Sequence, residues 1–380
     1  MAQKDSKTLE ETSINQDKNP IEFHLKGVMQ SLDIIWKNVE NLPDQDQAIL
    51  EQVQNNDTVE LIFRNSIILV QGQAGTHKSR LAGTIISALL ANNPEKLFLN
   101  FRVKESSEKQ TKVLYIDTER NLKYQLPSAI KKIIDDAGIK FETAHSVIAP
   151  IPLLNVPRVH RLGVVGLLLS NISPKEHTHH CIVIDVVSDC ISDFNFLTEV
   201  YKLTDGLNML INNHDVTIIC ILHENPGSEK ARGHLGTELT NKASTILQIS
   251  EHGNSDTFKI SVLKNRNRKR AKHIFVKFNE ATSTLELVSD ETEIVQLENR
   301  HVTKILTILK ECTALVTISK KVLFEKIKNE LSISERTVQT NIDAIIKKKI
   351  PFEGVVVGIN YYLKRKRSKE VTFEFEIHNF

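Results

Sequence analysis

The chain has 380 residues, of which 40% are hydrophobic and 25% charged, and its formal net charge is +2. That length suffices for one large α/β domain and a smaller second one, and the composition excludes a collagen-like or wholly disordered chain. The near-neutral balance excludes a polybasic or polyacidic protein whose overall charge alone would name its partner.

Residues 1–20 are polar, lack periodicity and carry no apolar signal core, so they read as a disordered tail. No apolar run approaches a membrane span, and a cytoplasmic location without membrane partners is expected. Residues 21–59 read as a helical lead-in, with Leu25, Met29, Leu32, Ile35 and Trp36 at helical spacing and a turn at 42–44. From residue 60 the pattern alternates. Apolar strands are predicted at 66–71, 113–116, 146–151, 181–187 and 216–222. Helices are predicted at 80–91, 123–137, 159–169 and 194–212. Strands this apolar, separated by helices, require a parallel sheet covered on both faces. Short strands at 245–249, 258–263, 274–278 and 284–288 extend it through antiparallel hairpins. The four cysteines, Cys181, Cys190, Cys220 and Cys312, lack a Cys-x-x-Cys spacing. Buried thiols in a reducing compartment fit them better than disulfides or a zinc site. His177, His179 and His180 lack further ligands at a useful spacing and read as a solvated turn.

Between the strand at 66–71 and the helix at 80–91 lies Gly72-Gln73-Ala74-Gly75-Thr76-His77-Lys78-Ser79-Arg80. It follows the Walker A pattern G-x-x-x-x-G-K-[ST], with His77 where the pattern has glycine. Small residues let backbone N–H groups wrap phosphate oxygens, and the helix N-terminus adds partial positive charge. Lys78 would bridge the outer phosphates of ATP, and Ser79 would hold Mg²⁺. His77 fits only if its backbone region is open to L-residues and its ring does not crowd the phosphates. Asp185 ends the run Ile182-Val183-Ile184 and is the expected second Mg²⁺ residue.

Val113-Leu-Tyr-Ile-Asp-Thr-Glu119 resembles the RecA/RadA superfamily, in which this strand carries the glutamate that polarises the attacking water. By that resemblance Glu119 is the catalytic base and His223, closing the strand at 216–222, senses the outermost phosphate. Lys230-Ala-Arg232-Gly233 resembles the RepA-type and DnaB-like helicases, whose Lys/Arg pair reaches a neighbouring subunit's ATP site. The resemblance implies a RecA-like α/β fold over 60–290, a mostly parallel sheet sandwiched by helices with late antiparallel strands. It also implies ATP and Mg²⁺ as cofactors and homo-oligomeric assembly as a ring, with six subunits one form. A solvated basic loop is the other reading of Lys230 and Arg232. Lys264, Arg266 and Arg268, in a stretch similar to the DnaB-like Lys-Asn-Arg-Asn, face DNA phosphate, a neighbouring subunit's nucleotide or solvent.

Residues 291–298 form an acidic linker. Residues 299–367 read as helices at 302–309, 318–331 and 335–347, with Ser334 as an N-cap, followed by a hairpin over 355–363. This looks like a winged helix with Arg336, Gln339, Thr340 and Asp343 outward on the third helix. DNA contact through Arg336, Gln339, Thr340, Lys364 and Arg365 is expected, although such modules also bind proteins. Residues 368–380 are a tail. The resemblance implies an ATP-hydrolysing motor on DNA, in replication or mobilisation of a plasmid or mobile element, with replication or mobile-element proteins as partners. An ATP-gated DNA-binding regulator or loader is the alternative. Glu119 and the Lys230/Arg232 pair argue against a small-molecule kinase.

Overall fold

The computed structural model describes residues 48–54, 57–104, 110–172, 178–252, 257–266, 269, 271–288, 301–315, 317–355, 359–367 and 371–377, with scattered positions between 21 and 39. The chain divides into two units, 1–47 and 48–380. In the first, Leu25, Met29, Leu32, Ile35 and Trp36 are helical, as their spacing predicts. The reading of 1–20 as a tail and of 291–298 as a linker lies outside the described residues.

The helical lead-in ends earlier than predicted. Strands β1 (Ala48–Gln54) and β2 (Asp57–Phe63) occupy its last part and pair antiparallel. Val59 and Leu61 are buried on alternate positions of β2, the period of a strand rather than a helix.

The next elements are β3 (Ile67–Gly72), α1 (Lys78–Leu89), β4 (Phe101–Val103) and β5 (Gln110–Asp117). Then come α2 (Gln125–Ala137), α3 (Phe141–Ala144), β6 (Ile148–Pro152), α4 (Arg158–Asn171) and β7 (Thr178–Asp185). They are followed by α5 (Leu197–His214), β8 (Val216–His223), α6 (Gly233–Lys242), β9 (Thr245–Glu251), β10 (Thr257–Asn265), β11 (Ile274–Asn279) and β12 (Thr284–Leu287). β4 joins β1 and β2 in a small sheet, while the main sheet runs β12-β11-β10-β9-β3-β8-β7-β5-β6.

Both faces of that sheet are covered, and its strands show why they are apolar throughout. Ile68, Val70, Val113, Tyr115, Cys181, Val183, Ile219 and Ile221 pack on one side with Leu81 and Ile85 of α1 and Ile133 of α2. Ile67, Leu69, Leu114, Ile116, Ile182, Ile184, Ile218 and Leu222 pack on the other with Val165 of α4, Leu203 and Leu207 of α5, and Leu239 of α6. Each fully buried Ile or Leu stabilises the fold by about 1.5–3 kcal/mol, so polar residues are pushed to strand ends. β9 pairs parallel with β3, and the antiparallel part begins only with β10. The histidine reading also changes: His179 lies inside β7, fully buried, with Nε2 2.9 Å from Thr217 Oγ1. His177 lies outside the described residues.

Beyond residue 300 come α7 (Val302–Cys312), β13 (Thr317–Ser319), α8 (Lys320–Leu331), α9 (Glu335–Lys347), β14 (Phe352–Glu353), β15 (Asn360–Arg367) and β16 (Val371–Ile377). Ser334 Oγ accepts from Thr337 N at 3.2 Å and caps α9 as predicted. Val338, Ile342 and Ile345 of α9 are buried, and Ile346 is half-buried. β13-β16-β15-β14 form an antiparallel sheet. The predicted tail is therefore a strand over 371–377, held because Phe373 is fully buried against Phe324, with ring centroids 6.1 Å apart.

Candidate active site

The parallel strands β3, β5, β7 and β8 all end at one edge of the main sheet, and their registers align the ends. Gly72 of β3 stands opposite His223 of β8, and Asp117 of β5 opposite Asp185 of β7. Gly72 is required by close approach: a Cβ there would meet Ile249 O at 2.4 Å. The chain then turns through Gly75, whose φ is +83°, into α1.

His77, at the Walker glycine position, adopts the left-handed region with φ 64° and ψ 26°. That backbone is why glycine suits the position. The ring is drawn to the late strands. It stacks on Phe278 at 4.4 Å with an interplanar angle of 24° and meets Phe258 edge-on at 4.7 Å. Nδ1 lies 3.0 Å from Arg80 NH1, and the Arg80 guanidinium covers Phe278 at 4.5 Å. Burial and the Arg80 charge lower the His77 pKa.

Lys78, 6% exposed, donates Nζ–H to Gln73 O at 2.6 Å. Burial lowers its pKa, opposed by Asp185, Glu224 and Glu119. Ser79 Oγ donates to Asp185 Oδ1 at 2.9 Å. Asp185 Oδ2 accepts from Tyr115 OH at 2.8 Å and forms an ion pair with Arg120 NH1 at 2.9 Å. Asp117 Oδ1 accepts from the backbone N–H groups of Glu119 (3.1 Å) and Arg120 (2.7 Å), which fixes the turn presenting Glu119. Burial raises the Glu119 pKa, and the carboxylates of Asp185, Asp189 and Asp117 add to it. His223 Nδ1 is buried without a hydrogen-bond partner among the described residues. Its pKa is lowered by burial, then by Lys78 and Arg232.

Lys78, Ser79, Glu119, Asp185 and His223 thus line one cavity of about 1020 Å³. Gln73 Nε2 donates to Asn225 O and Ser228 O, both at 2.7 Å, and so ties the loop to the turn after β8. Lys230 and Arg232 are exposed beyond that turn, with the Arg232 guanidinium 4.6 Å over Phe194. Sequence reasoning missed Tyr115, Asp117 and Arg120. Strand alternation already set Tyr115 and Asp117 on one face, but nothing local tied them to Arg120 or Asp185.

Four of the remaining predicted cations, Lys264, Arg266, Lys364 and Arg365, are engaged. Lys264 Nζ donates to Thr240 O (2.8 Å) and Asn241 O (3.1 Å), and Arg266 NH2 to Asn241 O (3.3 Å), so both hold the C-terminal carbonyls of α6. Arg268 lies outside the described residues. On α9, Arg336 and Thr340 are exposed, and Gln339 Nε2 donates to Asp343 Oδ2 at 2.9 Å. Lys364 pairs with Glu376 at 2.5 Å, and Arg365 pairs with Asp343.

The donor set fits a magnesium nucleotide. Among the described residues no cluster of three or more His, Cys, Asp or Glu could hold a metal alone. Mg²⁺ commonly takes one or two protein groups and completes its shell with phosphate and water, and Ser79 with Asp185, 2.9 Å apart, could serve as such a pair.

No protein-family model matches the chain, and no curated protein matches it. Among solved structures it is similar to the RadB recombinase, at 14% identity over 60% of this chain and 93% of that one, with a TM-score of 0.41. It is also similar to a KaiC-like protein from the hyperthermophilic archaeon Pyrococcus horikoshii, at 15% identity over 65% of this chain and 100% of that one, with a TM-score of 0.44. With both TM-scores below 0.5, the functional reading rests on the chain's own geometry. That geometry defines an α/β protein with a large, mostly parallel sheet between helices and a small antiparallel sheet after it. No helix among the described residues is long and apolar enough to cross a membrane.

Proposed function

We propose that the chain is a RecA-like motor that binds and hydrolyses ATP and acts on DNA, in replication or mobilisation of a plasmid or mobile element. One observation carries the nucleotide reading: Lys78, Ser79, Glu119, Asp185 and His223, from four strand ends, converge on one cavity. The loop amides and the α1 N-terminus attract phosphate oxygens. Lys78 exchanges Gln73 O for the outer phosphates. Ser79 and Asp185 would hold Mg²⁺, which would supply charge neutralisation on the phosphates when bound. Glu119 takes a proton from the attacking water, and its raised pKa strengthens it as a base. His223, at the end of β8 and lining the same cavity, would sense the outermost phosphate.

Lys230 and Arg232, exposed beside the site, would complete a neighbouring subunit's site in a ring. The C-terminal module, read as a winged helix, would meet DNA through Arg336, Gln339 and Thr340. Lys364 can exchange Glu376 for phosphate, since an exposed ion pair contributes only about 0–1 kcal/mol, whereas the half-buried Arg365 would have to leave Asp343. Lys264 and Arg266 already serve the α6 terminus, which favours α9 and β15 as the proposed DNA contacts.

The test is ATP hydrolysis and strand displacement by the purified chain. Lys78→Ala is expected to abolish hydrolysis, and retained turnover removes the nucleotide reading. Strand displacement by the wild type excludes the loader.

A further inference from the structure

Arg120 belongs to no phosphate-loop motif, yet it stands inside the site. Its guanidinium is anchored through one nitrogen. NH1 donates to Asp117 Oδ2 at 2.5 Å and to Tyr115 OH at 3.1 Å, and lies 2.9 Å from Asp185 Oδ2. All three partners are nearly fully buried, at 1% for Asp117, 1% for Tyr115 and 2% for Asp185, so the anchor is rigid. Nε and NH2 make no hydrogen bond to any described residue. The side chain keeps 22% of its surface, on the cavity that Lys78, Ser79 and Glu119 also line.

A guanidinium carries five N–H donors in a planar fork that matches phosphate geometry. Had it served only to neutralise Asp117 and Asp185, it could have turned two nitrogens toward two carboxylates, the bidentate arrangement such pairs favour. Here a single nitrogen serves both, and the rest of the fork is left to the cavity. We propose that Arg120 is a phosphate-binding cation supplied by the same chain, and that its Nε and NH2 receive the outermost phosphate of a bound nucleoside triphosphate. The proposal rests on the nucleotide-site reading above and adds a cation that no neighbouring subunit needs to deliver. It also gives the site a means of telling triphosphate from diphosphate, because the outermost phosphate is the group that differs.

The experiment is equilibrium titration of the full chain with ADP and with the non-hydrolysable β,γ-imido analogue of ATP, both with Mg²⁺. Losing charge-assisted hydrogen bonds to one phosphate is expected to weaken the triphosphate about 10- to 100-fold in Arg120→Gln. ADP affinity is expected to stay within about twofold, and Arg120→Lys to recover part of the loss as a point charge without the fork. Equal weakening of both nucleotides, or weakening of neither, overturns the proposal and leaves Arg120 serving only the buried carboxylates. Failure of the wild type to bind either nucleotide overturns the site reading as well, and is told apart by that control. Should Arg120→Gln fail to fold with Asp117 and Asp185 unpaired, the substitution is made in an Asp117→Asn background. The same titration against Asp117→Asn alone then decides.

Discussion

Replacing His77 with glycine removes two opposing contributions at once, and the structure sets the size of each. The left-handed backbone at φ 64° costs a non-glycine residue about 1 kcal/mol, which glycine recovers. Against this stand the ring contacts with Phe278 at 4.4 Å and Phe258 at 4.7 Å, at about 0.5–1.5 kcal/mol each. The Arg80 hydrogen bond adds about 0.5–1 kcal/mol. The ring wins, and His77→Gly is expected to destabilise the fold by about 0.5–3 kcal/mol. His77→Ala keeps the backbone cost and loses the ring as well, so it falls about 1 kcal/mol below His77→Gly. Urea unfolding of the three proteins at about pH 8, where the imidazole is neutral, reads both differences. A pH series adds a second check. The folded-state pKa of His77 lies below its ordinary 6.5, so the unfolded chain binds the proton more readily. The stability from neutral His77 is complete above 6.5 and is lost as pH falls toward the lowered folded value. The advantage of wild type over His77→Gly therefore shrinks on acidification. A glycine variant as stable as wild type, or an alanine variant as stable as the glycine one, refutes the argument.

Glu119→Gln is expected to keep nucleotide binding and to lower kcat by about 10²–10⁴, the usual range for losing a general base. In the wild type, hydrolysis should fall as pH drops through a value above the ordinary carboxylate 4.5, because burial and neighbouring carboxylates raise that pKa. A wild-type kcat in Glu119→Gln removes Glu119 from the mechanism. If Arg232 completes a neighbour's site, mixing Arg232→Ala with Glu119→Ala should restore hydrolysis that neither variant shows alone. No recovery at any mixing ratio counts against shared sites.

Much of the architecture was readable from local pattern. Strands buried on both faces must be apolar throughout, so β3, β5, β7 and β8 announce themselves and leave Gly72, Asp117, Asp185 and His223 at their ends. Capping is equally local, and Ser334 marks the start of α9 in both sequence and structure. What escaped depends on residues far apart in the chain. The alternation in 371–377 is visible, but a strand needs partners, and β13 and β15 are found only on folding. Lys264, Lys364 and Arg365 looked like free cations until carbonyls and carboxylates up to tens of positions away came to meet them.

Taken alone, the amino-acid order determined the strand–loop–helix alternation, the place of the Gly72–Ser79 loop between strand and helix, and the polar residues on the strand tips. Backbone sterics and the period of apolar residues act over a few positions and survive in any context. Only the tertiary structure decided that the His77 ring leaves the loop for Phe258 and Phe278, and that Arg120 joins Tyr115, Asp117 and Asp185. Those choices are set by which buried surfaces meet, and a guanidinium or an imidazole takes the partner that the packed sheet brings within hydrogen-bond or stacking distance.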